Sequence, residues 1–174
     1  ESIRIPDTIE SVSENAFGNC HRLREIDCKY STADKRALIM NNVLLAFAPY
    51  GVKQFEIPSG VTDIGNKSFS GSNELESITI PEGVQRIGTA AFYDCNLSNL
   101  TLPSTLKFIA PSMFDGNDRL AEVFCNAVSP PLMRGSWMSP NLFPDGTIVR
   151  VPKKSIDAYK ADDVWNTYTI MDFD

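Results

Sequence analysis

The fold class that this sequence predicts is a solenoid of stacked turns, each a short strand followed by a return segment, and three observations predict it. The first is a recurring phrase, an apolar pair closed by proline, at Ile3-Arg4-Ile5-Pro6, Phe55-Glu56-Ile57-Pro58, Ile78-Thr79-Ile80-Pro81 and Leu100-Thr101-Leu102-Pro103. Each copy is followed at a similar distance by Ala16-Phe17, Ser68-Phe69, Ala91-Phe92 or Met113-Phe114. The second is the period: Pro58, Pro81 and Pro103 stand 23 and 22 residues apart, a length in which one strand and one return segment close a turn. The third is the register of the residue before proline, or its counterpart, at Ile5, Cys28, Ile57, Ile80, Leu102, Cys125 and Val151. The steps of 23, 29, 23, 22, 23 and 26 account for the whole chain in about seven turns. Four of them are clear and three degenerate.

Each element follows from the physics of its residues. Side chains alternate along a strand, so Ile78 and Ile80 share one face and Ser77 and Thr79 the other. Pro81, lacking an N–H for the ladder, ends the strand. A second apolar pair follows three residues apart at Ile9 and Val12, Val61 and Ile64, Val84 and Ile87, and Leu106 and Ile109. A short helical or irregular return then carries phenylalanine, and stacking at about 4.8 Å per turn lines Phe17, Phe69, Phe92 and Phe114 into an aromatic column. The step of 29 places an insertion at about 35–50. There two apolar runs flank Asn41-Asn42, residues that tolerate the positive φ of a two-residue hairpin. This insertion reads as a lengthening of the sheet or a cover for the core in preference to an apolar patch for a partner. Residues 129–147 hold Pro130, Pro131, Pro140 and Pro144 around Trp137 and Phe143, the composition of a long loop. After Val151-Pro152, Ser155 is placed as a helix N-cap, with Asp157 in the first turn and Ile156 and Tyr159 on one face. Trp165 is expected to close this segment. The organisation expected is therefore a solenoid over 1–128 and a C-terminal capping loop, strand and short helix over 129–174.

The string I-x-I-P-x-x-V-x-x-I-G-x-x-A-F-x-x-C-x-x-L, read here in Ile78 through Cys95 and, with one residue fewer, Leu97, resembles the BspA-like class of leucine-rich repeats found in surface proteins of Bacteroides-type bacteria. The resemblance extends over about residues 3–126, and Val149 through Trp165 is similar to the closing segment common after such repeats. The second unit and the shortened Cys95-Asn96-Leu97 connection depart from the pattern. The fold is thus expected to be a right-handed leucine-rich-repeat stack of about seven turns. The resemblance implies a secreted or surface-exposed adhesion or recognition protein without enzymatic activity, some of whose relatives bind host matrix proteins.

Composition bounds the function. With 174 residues, 43% of them hydrophobic, the chain is long enough to bury roughly 70% of its unfolded surface. A formal charge of −6 argues against nucleic acid, heparin-like polyanions and anionic lipid as partners. No stretch of about 18 apolar residues is present to span a membrane. The opening at Glu1 inside a repeat strand reads as a mature or trimmed fragment, so that any export signal or lipid anchor would lie outside it. Cys20 and Cys95 fall in one column three turns apart, about 14 Å, and Cys28 and Cys125 in another, about 19 Å apart. A bridge needs α-carbons within about 7 Å, so four buried free thiols are expected. No C-x-x-C or Cys/His cluster suggests a metal.

No cofactor-binding motif and no catalytic constellation stands out. His21 is the only histidine and occupies a variable slot, which reads as a surface position. Asp115-Gly116-Asn117-Asp118 lacks the rest of a calcium loop and coincides with a repeat turn. Asp162-Asp163 reads as solvated, and the glycosylation triplets at Asn66, Asn96 and Asn99 read as accidents of the pattern. The candidate binding face is the outward row of successive strands: Arg4, Asp27, Glu56, Thr79, Thr101 and Phe124. Phe124 reads either as an exposed anchor, typical of a binding hot spot, or as a residue packed under the capping loop. The expected partner is a host or cell-surface macromolecule, protein rather than glycan. The alternative is a glycan site on exposed aromatics of the C-terminal loop, Trp137 and Phe143; a hydrolase is a further alternative.

Overall fold

The computed structural model describes residues 1–133 and 142–173. In chain order its strands are β1 (Ser2–Arg4), β2 (Glu25–Asp27), β3 (Ala37–Met40), β4 (Val43–Phe47), β5 (Gln54–Glu56), β6 (Asp63–Ile64) and β7 (Ser77–Thr79). There follow β8 (Arg86–Ile87), β9 (Asn99–Leu102), β10 (Phe108–Ile109), β11 (Glu122–Cys125), β12 (Leu132–Met133), β13 (Ile148–Pro152), helix α1 (Ile156–Ala161) and β14 (Thr169–Phe173). The strand of each turn stands where the proline phrase places it.

One face of the stack carries the proline-phrase strands in parallel register. Ile3 lies opposite Ile26, Phe55 opposite Ile78, and Leu100 opposite Val123, which in turn lies opposite Val149 and then Ile170. The second apolar pair sets its second member in a two-residue strand in the turns that carry Ile64, Ile87 and Ile109, whereas Ile9 and Val12 of the first turn lie in no strand. These segments build a second face in the order β12-β10-β8-β6-β4-β3, parallel except for β3. The returns are irregular turns rather than short helices. Lys67, Ala90 and Ser112 each take a left-handed φ of 52° to 55° there, and successive returns are laced by backbone bonds such as Phe69 N–H to Ala91 O (2.9 Å) and Phe92 N–H to Met113 O (2.9 Å).

Inside, the rings of Phe47, Phe69, Phe92, Phe114 and Phe143 follow one another at centroid separations of 4.8, 5.1, 5.2 and 5.4 Å. All five are buried. The column differs from expectation at its start, where Phe47 of the hairpin stands in place of Phe17. The reason is the insertion in the second turn. Ala37–Phe47 folds into an antiparallel hairpin, with Asn41 and Asn42 at φ 51° and 64°. Its β4 occupies the second-face position of that turn, Leu44 lying opposite Ile64. The hairpin is apolar on both sides because both sides are buried. Ala37, Leu44 and Phe47 join the main core, whereas Leu38, Met40, Leu45 and Ala48 join a smaller one with Ile5, Leu23 and Ile26, against which Phe17 packs half-buried. The first return therefore meets the third directly: Asn19 N–H donates to Ser70 O at 3.0 Å, and the Glu14 carboxylate accepts from Asn66 N–H (2.7 Å) and pairs with Arg86 (3.1 Å).

Asn117, a buried polar residue, holds turns from inside. The Asn117 amide donates to the Phe92 and Phe114 carbonyls at 2.8 and 3.0 Å and accepts from Leu97 N–H, so the calcium-like string around it is a turn lock. Past the repeats, Tyr159 of α1 donates its buried hydroxyl to Ala127 O (2.9 Å), and Trp165 donates its indole N–H to Pro131 O (3.0 Å). Ser155 does not cap α1 through its side chain; it is itself in a helical conformation (φ −104°, ψ −9°) at the end of a 3-10 turn, and its hydroxyl is buried. Beyond Trp165 the chain adds one more parallel strand, β14, beside β13.

All four cysteines are free. Cys95 and Cys125 are buried, and desolvation pushes their thiols up to about 12 and about 11. Cys20 and Cys28 are only half-buried, against the expectation that all four are enclosed, because both belong to the smaller cluster at the start of the stack.

Two outcomes are expected. Phe92→Ala, which opens a hole in the middle of the column, should cost about 3–5 kcal/mol in denaturant unfolding, whereas Thr79→Ala on the outer face should change stability by less than about 0.5 kcal/mol; equal effects would contradict the inward register. In native protein a thiol reagent should modify Cys20 and Cys28 readily. Cys95 and Cys125 stay protonated at all pH values below about 11 and should react only on unfolding, because the thiolate is the nucleophile. Mass-mapped labelling that finds all four equally reactive would contradict the burial.

Candidate functional site

The first-face strands turn two side chains outward on either side of a central apolar residue, which is buried at Ile26, Ile78, Leu100, Val123 and Val149 and exposed at Ile3. Cross-strand register decides which of the six row positions meet. Arg4 lies opposite Asp27, Glu56 opposite Thr79, and Thr101 opposite Phe124. The row is thus three neighbouring pairs rather than one unbroken ladder. Asp27 and Glu56 are separated where the hairpin enters, and no strand pairing joins β7 to β9, whose turns are held instead by Asn96 N–H to Leu75 O (3.1 Å) and Ser98 N–H to Glu76 O (3.4 Å).

The chemistry of the row changes along its length. At one end Asp27 pairs with Lys35 at 3.0 Å and with Arg4 at 3.9 Å, contacts exposed enough that water screens most of their energy. In the middle Thr79 and Thr101 are exposed and uncharged. At the far end Phe124 is half-buried, its ring tilted against Phe173 of β14 at 5.9 Å. Phe124 therefore packs on the final strand and still keeps part of its ring in solvent. The register carries the row further than the six expected positions, to Arg150 opposite Phe124 and Met171 opposite Arg150. Arg150 is ion-paired with Glu122, and Met171 is exposed. Arg150 was legible as the residue between Val149 and Val151; Met171 was not, because no proline phrase marks its strand.

Of the alternative aromatics, Phe143 is 2% exposed and extends the phenylalanine column, so it presents no stacking face. Trp137 lies outside the described residues. His21 is exposed, and its Nδ1 bonds the Gly71 carbonyl at 2.9 Å, fastening one return to the next. On the second face Arg86 bridges Asp63 (2.7 Å) and Glu14 (3.1 Å), half-buried. Such charges are occupied in holding turns together. No described helix is long and apolar enough to cross a membrane.

Six copies of the BspA type leucine rich repeat region match residues 1–45 and 39–129. No curated protein sequence matches the chain. Among solved structures, a leucine-rich repeat protein from Eubacterium ventriosum superposes on 91% of this chain and 46% of its own, with 20% identity and a TM-score of 0.60. A leucine rich cell surface protein from Faecalibacterium prausnitzii covers 89% of this chain and 55% of its own at 19% identity and a TM-score of 0.50. The pneumococcal vaccine antigen PcpA covers 100% of this chain and 56% of its own at 17% identity and a TM-score of 0.51. This chain spans about half the length of the structures it matches, and at these identities the likeness is one of fold.

Proposed function

The chain belongs to the BspA type leucine-rich repeat family, and on that premise we propose that it is an extracellular or cell-surface recognition module that adheres to a host or cell-surface macromolecule through its first strand face. The observation that carries this reading is the row itself. Thr79, Thr101 and the open part of Phe124 are uncharged side chains on successive turns, Thr101 and Phe124 in direct strand register, backed by a stacked aromatic core. A rigid face loses little conformational freedom on binding, and a partly exposed aromatic beside small polar groups is the composition of an interface anchor.

Two further considerations support it. One fold relative is named a leucine rich cell surface protein and another a vaccine antigen. The half-buried charges Glu14, Asp63, Arg86, Glu122 and Arg150 are spent on ion pairs between turns, and a binding role is the simpler use of such a fold. A glycan site on the C-terminal loop loses one of its two aromatics to burial at Phe143. A protein partner fits the strand face better, because outward side chains carried on successive turns suit a broad interface.

The test is a binding screen of the purified chain against immobilised host matrix proteins, followed by Thr79→Lys, Thr101→Lys and Phe124→Ala. The parent should bind at least one, and each variant should bind about tenfold or more weakly with an unchanged unfolding midpoint. Unchanged affinity in the three variants would remove the site from this face, and failure of the parent to bind any matrix protein would overturn the choice of partner.

A further inference from the structure

The ridge formed by the returns is a third surface, and its polar side chains are employed differently from those of the two sheet faces. There Arg4, Lys35, Lys53, Arg86 and Arg150 all have carboxylate partners. On the ridge, a depression of about 240 Å³ is lined by Asn19, Lys67, Ser70, Tyr93, Ser112 and Asp115 around the methyl of Ala90. Among the described residues, the side chains of Lys67, Tyr93, Ser112 and Asp115 make no hydrogen bond or ion pair with one another or with the rest of the protein. Asn19 uses its carbonyl oxygen to accept from the Ser70 hydroxyl at 3.0 Å, which leaves its amide N–H groups directed elsewhere. Tyr93 is 43% exposed, although its neighbour Phe92 is fully enclosed.

The backbone gives a second, independent observation. Two columns of left-handed residues run along the ridge. In one, Asn19, Gly71, Asp94 and Gly116 have φ between 54° and 80°, and these are the residue types that bear that conformation most easily. In the other, Lys67, Ala90 and Ser112 have φ of 52° to 55°, where none is glycine, asparagine or aspartate. Side chains that strain the backbone are thus retained where they line the depression, the pattern that strained residues show at functional sites. The floor beneath is fixed by Lys67 N–H to Thr89 O (3.0 Å), Gly71 N–H to Tyr93 O (2.8 Å) and Asp94 N–H to Asp115 O (2.8 Å).

We propose that this depression is a carbohydrate-binding subsite, taking a pyranose ring stacked on Tyr93 with its hydroxyls bonded to Lys67, Ser112, Asp115 and the Asn19 amide. The chemistry selects the class. One ammonium and one carboxylate cancel, which disfavours a phosphate or a lone cation. Donors, acceptors and an amphipathic aromatic face together match a ligand that presents many hydroxyls around an apolar C–H face. The volume is below the roughly 300–1,000 Å³ of sites for drug-sized molecules, consistent with one sugar ring of a chain whose remainder lies along the open ridge. The inference stands apart from the strand-face reading, since the two surfaces share no residue.

The test is amide NMR of the intact chain titrated with two probe sets: galactosyl-N-acetylglucosamine oligosaccharides of the type displayed by animal cells, and the soluble N-acetylglucosaminyl-N-acetylmuramic acid disaccharide of bacterial walls. Saturable shifts at Lys67, Tyr93, Ser112 and Asp115 are expected with at least one set, and the responding set identifies the source. Tyr93→Ala and Lys67→Gly should each weaken that binding at least about tenfold. Lys67→Gly should retain or raise the unfolding midpoint, because glycine accepts the left-handed conformation, which separates lost binding from lost folding. Silence of these amides with both sets, shifts confined to Thr79, Thr101 and Phe124, or parental affinity in either variant would overturn the proposal.

Discussion

Ring-on-ring contact between phenylalanines of successive turns is the constraint to which the rest of the molecule is fitted. The centroid spacing of 4.8 to 5.4 Å from Phe47 to Phe143 is close to the distance between hydrogen-bonded strands, about 4.8 Å. One translation therefore satisfies both the backbone ladders and the aromatic stack. That coincidence fixes the turn at 22 or 23 residues wherever the repeat is regular, since a longer or shorter path would carry the ring out of line. It also explains why no turn is stable alone: each ring is buried only by its neighbours. Stacked or tilted aromatic pairs add about 0.5–1.5 kcal/mol beyond the area they bury, a term that recurs at every step of the column.

The irregular parts of the chain are solutions to the same constraint. In the second turn the return with its phenylalanine is missing, and the hairpin supplies Phe47 in its stead while walling the main core from the smaller one. Beyond the last return, Phe143 takes the next place and meets Trp165 and Tyr168, where the Tyr168 hydroxyl accepts from the backbone N–H of Leu142 and Phe143. Buried polar groups are used sparingly, and Asn117 locks turns with its amide, which holds two carbonyls in adjacent returns.

What was legible in the sequence follows from which signals are local. Proline after an alternating pair marks a strand end by itself, so all seven strand positions of the phrase stand where the register puts them, and both inward pairs are buried in the turns from Ile78 to Ile109, whereas in the first turn Ile3 is exposed and Ile9 and Val12 are half-buried. The substitution of Phe47 for Phe17 was not legible, because it depends on where a long insertion folds back and nothing local in Ala16-Phe17 differs from the later copies. The half-exposure of Cys20 and Cys28 has the same origin. On the candidate face, the outward positions from Arg4 to Phe124 follow from alternation, and Arg150 extends them; Met171 and the packing of Phe124 on Phe173 depend on a final strand with no marker. The ridge was invisible, since the left-handed conformation of Lys67 or Ser112 contradicts the ordinary preference of those residues.

The geometry of every face of this molecule depends on turns that keep their spacing, and so on the column. The most direct test is a pair of double-mutant cycles in denaturant unfolding, with phenylalanine replaced by leucine to keep the volume nearly filled. For Phe92 and Phe114, whose rings stack at 5.2 Å with 2° between their planes, the account predicts a coupling of about 0.5–1.5 kcal/mol. For Phe47 and Phe114, which do not touch, it predicts additivity within about 0.3–0.5 kcal/mol. Additive effects in the adjacent pair, or equal coupling in both, would contradict a stability carried by nearest-neighbour stacking.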